Sequence, residues 1–403
     1  MTLRHLVPAL GLAALTATSA FAADKGPEVS FSGWSDNILT FANDDTKDTP
    51  AAGATGTAKD ESKASLRFSA AASLKAKWRV SDRVDTKVNL WFFPDTSTGG
   101  DSTATPSTYV SNANFQAREM YVTVDLTNGF SWQMGKYIDH VGWISAEPTG
   151  LFSVNNSLIG YLGIYGNDVI GTALNYSDAD KSPFSGQIHI TNGYFTASDA
   201  LSPGYVASPN VNRENNDLGF GVDLNYALPN KMGDIDFDFA YDTHSGLNAT
   251  NAPGVSGLGG SAYVLGLNAT IKPVKELTIG AEIMLFTLAD GENSNKVKQA
   301  NTGYKRTQGL LLANYVIPSA PWNMSVTGLI QYIQIKTDAA VTAANSDKEK
   351  RMEVAAEVLT NPFGTKNFGL NGEIGYWKKD DVGFVKATDQ KGISISIEAI
   401  ATF

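Results

Sequence analysis

From Leu66 to Val80 the chain keeps one rhythm for fifteen residues. Leu66, Phe68, Ala70, Ala72, Leu74, Ala76, Trp78 and Val80 fall on one parity; Arg67, Ser69, Ser73, Lys75, Lys77 and Arg79 fall on the other, joined only by the small Ala71. Side chains alternate across a β-strand, so this segment has one apolar face and one basic, hydrated face. Strands of soluble proteins usually end after about 5–6 residues. A strand in a membrane barrel needs roughly 9–11 residues in the lipid, and lipid-out, water-in alternation is its signature. The pattern predicts a transmembrane β-strand whose charged face looks into water.

Residues 1–22 have the form of a cleaved export signal. Arg4 and His5 make a basic start, Leu6 to Ala17 an apolar core, and Ala20-Phe21-Ala22 a small-x-small cleavage site. That core is too short to span a bilayer as a helix. Residues 23–403 are expected to form one barrel. There is no Cys, so no disulfide scaffold is expected, which suits passage through an oxidising periplasm. The whole chain has 31 basic and 41 acidic residues; removing Arg4 leaves 30 against 41, a net charge of −11. Such a balance excludes a nucleic-acid partner, which would call for a basic surface.

The alternation recurs. Strands are predicted at 29–41, 66–80, 83–93, 114–126, 130–138, 169–176, 184–194, 218–228, 234–242, 263–272, 276–288, 304–317, 322–336, 350–359, 368–377 and 392–403. Long polar connections alternate strictly with short ones, such as Asn128-Gly129, whose residues tolerate the positive φ of a tight hairpin. Prolines stand in the turns, where a missing N–H breaks no ladder bond. The expected fold is therefore all-β: a sixteen-stranded antiparallel transmembrane β-barrel with short periplasmic turns and long extracellular loops. Closure leaves no unpaired edge in the bilayer. Trp78, Phe130, Trp132 and Trp322 at one end of the strands, and Tyr241, Tyr332 and Tyr376 at the other, supply two interfacial aromatic girdles.

With that pattern in place, the chain resembles the trimeric general porins of Gram-negative bacteria. The residues that carry the likeness are the terminal Phe403, similar to the family's C-terminal assembly signal, and the hairpin Arg118-Glu119-Met120-Tyr121-Val122 through Gly129-Phe130 to Gly135-Lys136. The resemblance implies a homotrimer in the lipid of the outer membrane that passes small hydrophilic solutes and ions. It also implies that the third external loop, residues 139–167, folds inward and narrows the pore. The acidic P-E-F-G-G-type motif of many such loops is absent.

Inward positions should carry the function. Arg67, Lys75, Lys77, Arg79 and Lys87 on the second and third strands form a basic wall relieved by Asp85. Asp223, Asp236 and Asp238, with Asp234 and Asp242, form an acidic one on the eighth and ninth. If the third loop enters, Asp139 and Glu147 are placed to face the basic wall. Arg118 shares the parity of outward Met120 and reaches water only through its place near the external rim. Counting Glu276, Glu282, Glu353, Glu357, Glu373 and Glu398 against Arg351, the interior is acidic, and acidic rings favour cations.

No catalytic constellation is visible. His140, His189 and His244 lack zinc-ligand spacing, no Gly-x-Ser-x-Gly elbow exists, and Asp234-x-Asp-x-Asp alternates with Ile235, Phe237 and Phe239 as a strand does. No enzyme activity, metal or cofactor is expected. The expectation is a weakly cation-selective diffusion porin. The alternatives are a substrate-selective channel, with Trp91, Phe93, Trp143, Tyr161, Tyr165 and Trp377 as an aromatic track for sugars, and a structural or adhesive barrel.

Overall fold

A computed structural model describes residues 28–50, 59–93, 114–143, 168–192, 218–243, 257–258, 261–289, 292–293, 304–337, 348–382 and 386–403. Sixteen antiparallel strands close into one barrel. They are β1 (Glu28–Pro50), β2 (Lys59–Ser81), β3 (Val84–Phe93), β4 (Asn114–Thr127), β5 (Phe130–Ile138), β6 (Asp168–Ser177), β7 (Phe184–Thr191) and β8 (Gly219–Ala227). β9 (Gly233–Asp242), β10 (Ala262–Val274), β11 (Leu277–Leu288), β12 (Tyr304–Val316), β13 (Ser325–Thr337), β14 (Lys348–Leu359), β15 (Phe368–Val382) and β16 (Lys386–Thr402) complete the ring. Each pairs with its sequence neighbours, and β1 pairs with β16 to close it.

At the closure Gly33 and Phe403 exchange both backbone hydrogen bonds, each 3.1 Å. A Cβ on Gly33 would lie 2.5 Å from the Phe403 ring, so the missing side chain lets the terminal aromatic lie against β1. Along the outward face, Phe31, Leu66, Phe68, Leu74, Trp78, Met120, Ile188, Leu267, Ile283, Leu311, Ile330, Ile374, Ile395 and Phe403 are exposed, which gives an apolar belt around the barrel. The Asn128–Gly129 turn takes positive φ at both residues, 54° and 81°, as a two-residue hairpin requires.

Two differences from the predicted strands have physical causes. β1 and β2 are 23 residues each and stay in register out to Asp48 opposite Lys59, while β15 and β16 run to Val382 opposite Ala387. This polar ladder projects beyond the apolar belt, where no lipid imposes alternation. Pro273, expected in a turn, instead sits in a register break of β10 between Ile271 and Val274, and the turn falls at Lys275-Glu276. The bulge leaves the proline without a ladder partner, so its missing N–H costs nothing.

Candidate functional site

Inside the barrel, the second and third strands carry the basic residues on the face opposite the apolar belt. Arg67 lies opposite Thr40 of β1, and Lys75 opposite Asn89 of β3. Lys77 and Arg79 share Asp85, at 3.1 and 3.5 Å. Lys87 forms a 2.8 Å ion pair with Glu119, which also accepts a hydrogen bond from Asn89. Glu119 is absent from the expected charges, although outward Met120 beside it assigns it inward.

Arg118 owes its position to a bulge. Asn89 pairs with Glu119 but Leu90 pairs with Ala117, so one extra residue enters β4 at Arg118. That extra residue reverses the local parity. The guanidinium lies over the ring of Trp91, 4.7 Å from its centroid, and Trp91 meets Trp34 edge-on at 5.1 Å. Both tryptophans are buried in this cluster, which leaves Trp91 little open face for a sugar.

Across the lumen stand the acids. Asp223 and Asp238 are register partners on β8 and β9, and Asp236 accepts a hydrogen bond from Asn225. Asp36, Glu357, Glu373 and Glu398 form a second acidic group on β1, β14, β15 and β16, all buried. Of these, Asp36 is missing from the charges expected to line the interior.

The residues after β5 reach the acidic wall of β8 and β9 and the strands beyond it. Asp139 is buried, and the backbone then runs to strands four to six places around the ring. Gly142 N–H donates to Asp238 Oδ2 at 3.1 Å, Trp143 N–H to Glu282 Oε2 at 2.7 Å, and the Trp143 indole N–H to Thr270 Oγ1 at 2.9 Å. The indole packs against β11 at Gly280, where a Cβ would sit 2.3 Å from the ring. No other residue fits beneath it. The chain thus meets the acidic wall through backbone and indole donors. Glu147, Tyr161, Tyr165 and the remainder of 139–167 lie outside the described residues.

An inner apolar patch accompanies this contact. Val264, Met284, Phe286, Leu310, Leu312, Leu329, Ile333 and Ile335 face inward on β10 to β13 and are at most 8 % exposed. Val141 belongs to the same cluster, and Trp143 packs against it. On these strands apolar side chains stand among inward polar ones such as Asn268, Glu282, Arg306, Gln308 and Gln331, a mixture that strict alternation does not predict. Leu74, Trp78, Met120 and Phe403 keep their expected outward side. Among the described residues, no group of three or more His, Cys, Asp or Glu is arranged to hold a metal ion.

No family model matches the sequence, and no curated protein matches it. Solved structures do match in fold. The outer membrane channel DcaP of Acinetobacter baumannii shares 13 % identity at a TM-score of 0.55, over 95 % of this chain and 99 % of that one. The anion-selective porin from Comamonas acidovorans shares 11 % at 0.55, over 94 % and 100 %. OmpT of Vibrio cholerae in its trimer form shares 12 % at 0.54, over 94 % and 100 %. Whole-length agreement at such low identity establishes a common fold.

Proposed function

We propose that this chain, which has the fold of the outer-membrane porins, forms a water-filled channel in a bacterial outer membrane. It passes small hydrophilic solutes and ions by passive diffusion, prefers cations weakly, and catalyses no reaction. Residues 1–22 direct its export and are removed. The observation that carries this reading is the three-point attachment of Gly142 and Trp143 to Asp238, Glu282 and Thr270 inside the barrel. A loop held there, beside the buried apolar patch of β10 to β13, narrows the passage without closing it. Sixteen-stranded barrels are wide enough for an aqueous channel around such a loop. Residues 139–167 are on this view the constriction loop.

Protomers associate as homotrimers; OmpT of Vibrio cholerae, which shares this fold, has a trimer form. The small outward Ala70 and Ala72 of β2, opposite Asn37 and Ser35 of β1, suit a flat contact. Recording from single molecules in a planar bilayer tests the function. Steady conductance with a reversal potential of cationic sign is expected under a KCl gradient. Blockage by one class of sugar would move the assignment to a selective channel, and absence of conductance would leave a structural or adhesive barrel. A single-protomer mass in mild detergent would remove the trimer.

A further inference from the structure

Where β14, β15, β16 and β1 run side by side, the inner wall holds a recess made by three cross-strand rows of inward residues. The row nearest the long connections is Glu353, Trp377, Gly392 and Asp44, and the row nearest the short turns is Glu357, Glu373, Ser396 and Thr40. Between them lie only small side chains, those of Ala355, Ser394 and Ala42, and the bare backbone of Gly375. The two bordering rows are about 13 Å apart along the strands. The two inward glycines shape the recess. A Cβ on Gly392 would lie 2.5 Å from Asp44 Oδ1 and 2.7 Å from Trp377 Nε1, so the carboxylate and the indole both lean over bare backbone. A Cβ on Gly375 would meet Ser394 Oγ at 3.0 Å and Glu353 Oε1 at 3.8 Å.

The rim is half-buried at Glu353, Trp377, Ser394 and Asp44, while the base is closed, with Glu357 1 % exposed and Glu373 5 %. Neither oxygen of Glu357 accepts a hydrogen bond from a described residue, and neither does Asp44 Oδ1. A buried acceptor left without a donor is costly. The acidic wall across the lumen differs, because Asp236, Asp238 and Glu282 accept from the amides of Asn225, Asn268 and Gln308. The cations nearest the recess lie outside it. Arg351 and Lys379, one row farther out, both pair with Glu349, and Lys63 and Arg67 stand on β2 beyond Asp44 and Thr40. What the recess lacks is a positively charged N–H donor, and an indole beside it favours a cationic or apolar body. Trp91 offers no such place, since Arg118 already lies over its ring.

We infer that this recess is a binding station for small organic cations, namely primary ammonium or guanidinium compounds with a compact apolar body. The charged nitrogen sits among Glu353, Glu357 and Glu373, and the apolar part lies over Gly375 against Trp377. The inference deepens the reading of a cation-preferring channel by naming a class of solute, and it rests on that reading only for the solute's passage. Binding is therefore measured without conduction.

The test is a fluorine NMR titration of the folded mature chain in detergent with para-fluorobenzylammonium, corrected for partition into empty micelles. para-Fluorobenzyl alcohol is the neutral comparison. Glu357→Gln/Glu373→Gln removes the acids at the base, and Gly375→Val fills the floor while keeping every charge. Asp180→Asn, on the exposed turn between β6 and β7, is the control. Unchanged heat-modifiable mobility establishes that each variant is folded, and the Gly375 variant serves if the double one does not fold. Wild type and Asp180→Asn should bind the ammonium saturably and the alcohol not at all. Each recess variant should weaken binding by about tenfold or more, the scale of one lost hydrogen bond to a charged group. Unchanged affinity in either folded variant overturns the proposal, as does equal binding of the alcohol or the absence of saturable binding to wild type. Bilayer recording on the same preparation separates the two readings. A chain that binds the ammonium without conducting keeps the site and loses the channel, and one that conducts without binding does the reverse.

Discussion

At the residue scale, one position decides whether a charge is tolerated. Leu74 and Lys75 are adjacent on β2, yet Leu74 is on the apolar belt and Lys75 faces inward opposite Asn89. An arginine on the lipid face near the midplane of a barrel costs about 2–4 kcal/mol, while lumen substitutions tune conduction. Leu74→Arg should therefore lower the yield of heat-modifiable, folded protein, and Lys75→Leu should leave it near that of the wild type. The reverse ranking would mean the strand is displaced by one residue. Gly280 and Trp143 give a second contrast. Gly280→Leu would force the indole off β11, since even a Cβ falls 2.3 Å from the ring. Trp143→Ala removes the ring and its bond to Thr270 without a clash. Both should raise single-channel conductance with the barrel intact, and the double variant should add little, as contacting residues do not behave additively. A conductance unchanged in both would detach Trp143 from the passage.

At the scale of elements, the sequence shows most where lipid dictates it. All sixteen strands are legible, because the bilayer demands alternation and turns break it. The ladder beyond the belt is not: Asn43-Asp44-Asp45-Thr46-Lys47-Asp48 has no apolar face to betray a strand, and only pairing with β2 and β16 shows it. The bulge at Arg118 is likewise hidden, because a parity count assumes an unbroken ladder. The contact of Trp143 with Glu282 spans 139 residues and leaves no local trace. Glu119, in contrast, is within reach of parity alone. The projecting ladder is expected to add little stability, since exposed ion pairs contribute about 0–1 kcal/mol each. Joining Asp44 to Lys63 through Asn-Gly, with residues 45–62 removed, should keep the folded yield and the conductance. Failure to fold would make the ladder part of barrel assembly.

At the scale of the whole molecule, charge is sorted around the lumen. β2 and β3 carry Arg67, Lys75, Lys77, Arg79 and Lys87, and β8, β9 and β11 carry Asp223, Asp236, Asp238 and Glu282. The sorting is less sharp than parity predicts: Asp85 and Glu119 offset Lys77 and Lys87 on the basic side, buried Asp36 stands on β1 next to β2, and buried Arg306 stands on β12 next to the strand of Glu282. A constriction lying between the two sides would place cations and anions on separate paths through one passage. Replacing Lys75 and Lys77 by Glu turns two positive charges into two negative ones on the basic side. The reversal potential under a KCl gradient should then shift further toward the cation value. The shift should be largest at low salt, because the Debye length is about 10 Å at 0.1 M and about 3 Å at 1 M. A local change of pore width would alter conductance at both salts alike, so salt dependence separates the field from sterics. An unchanged potential at low salt would show that ions do not pass near Lys75 and Lys77, and the transverse field would have no part in selection.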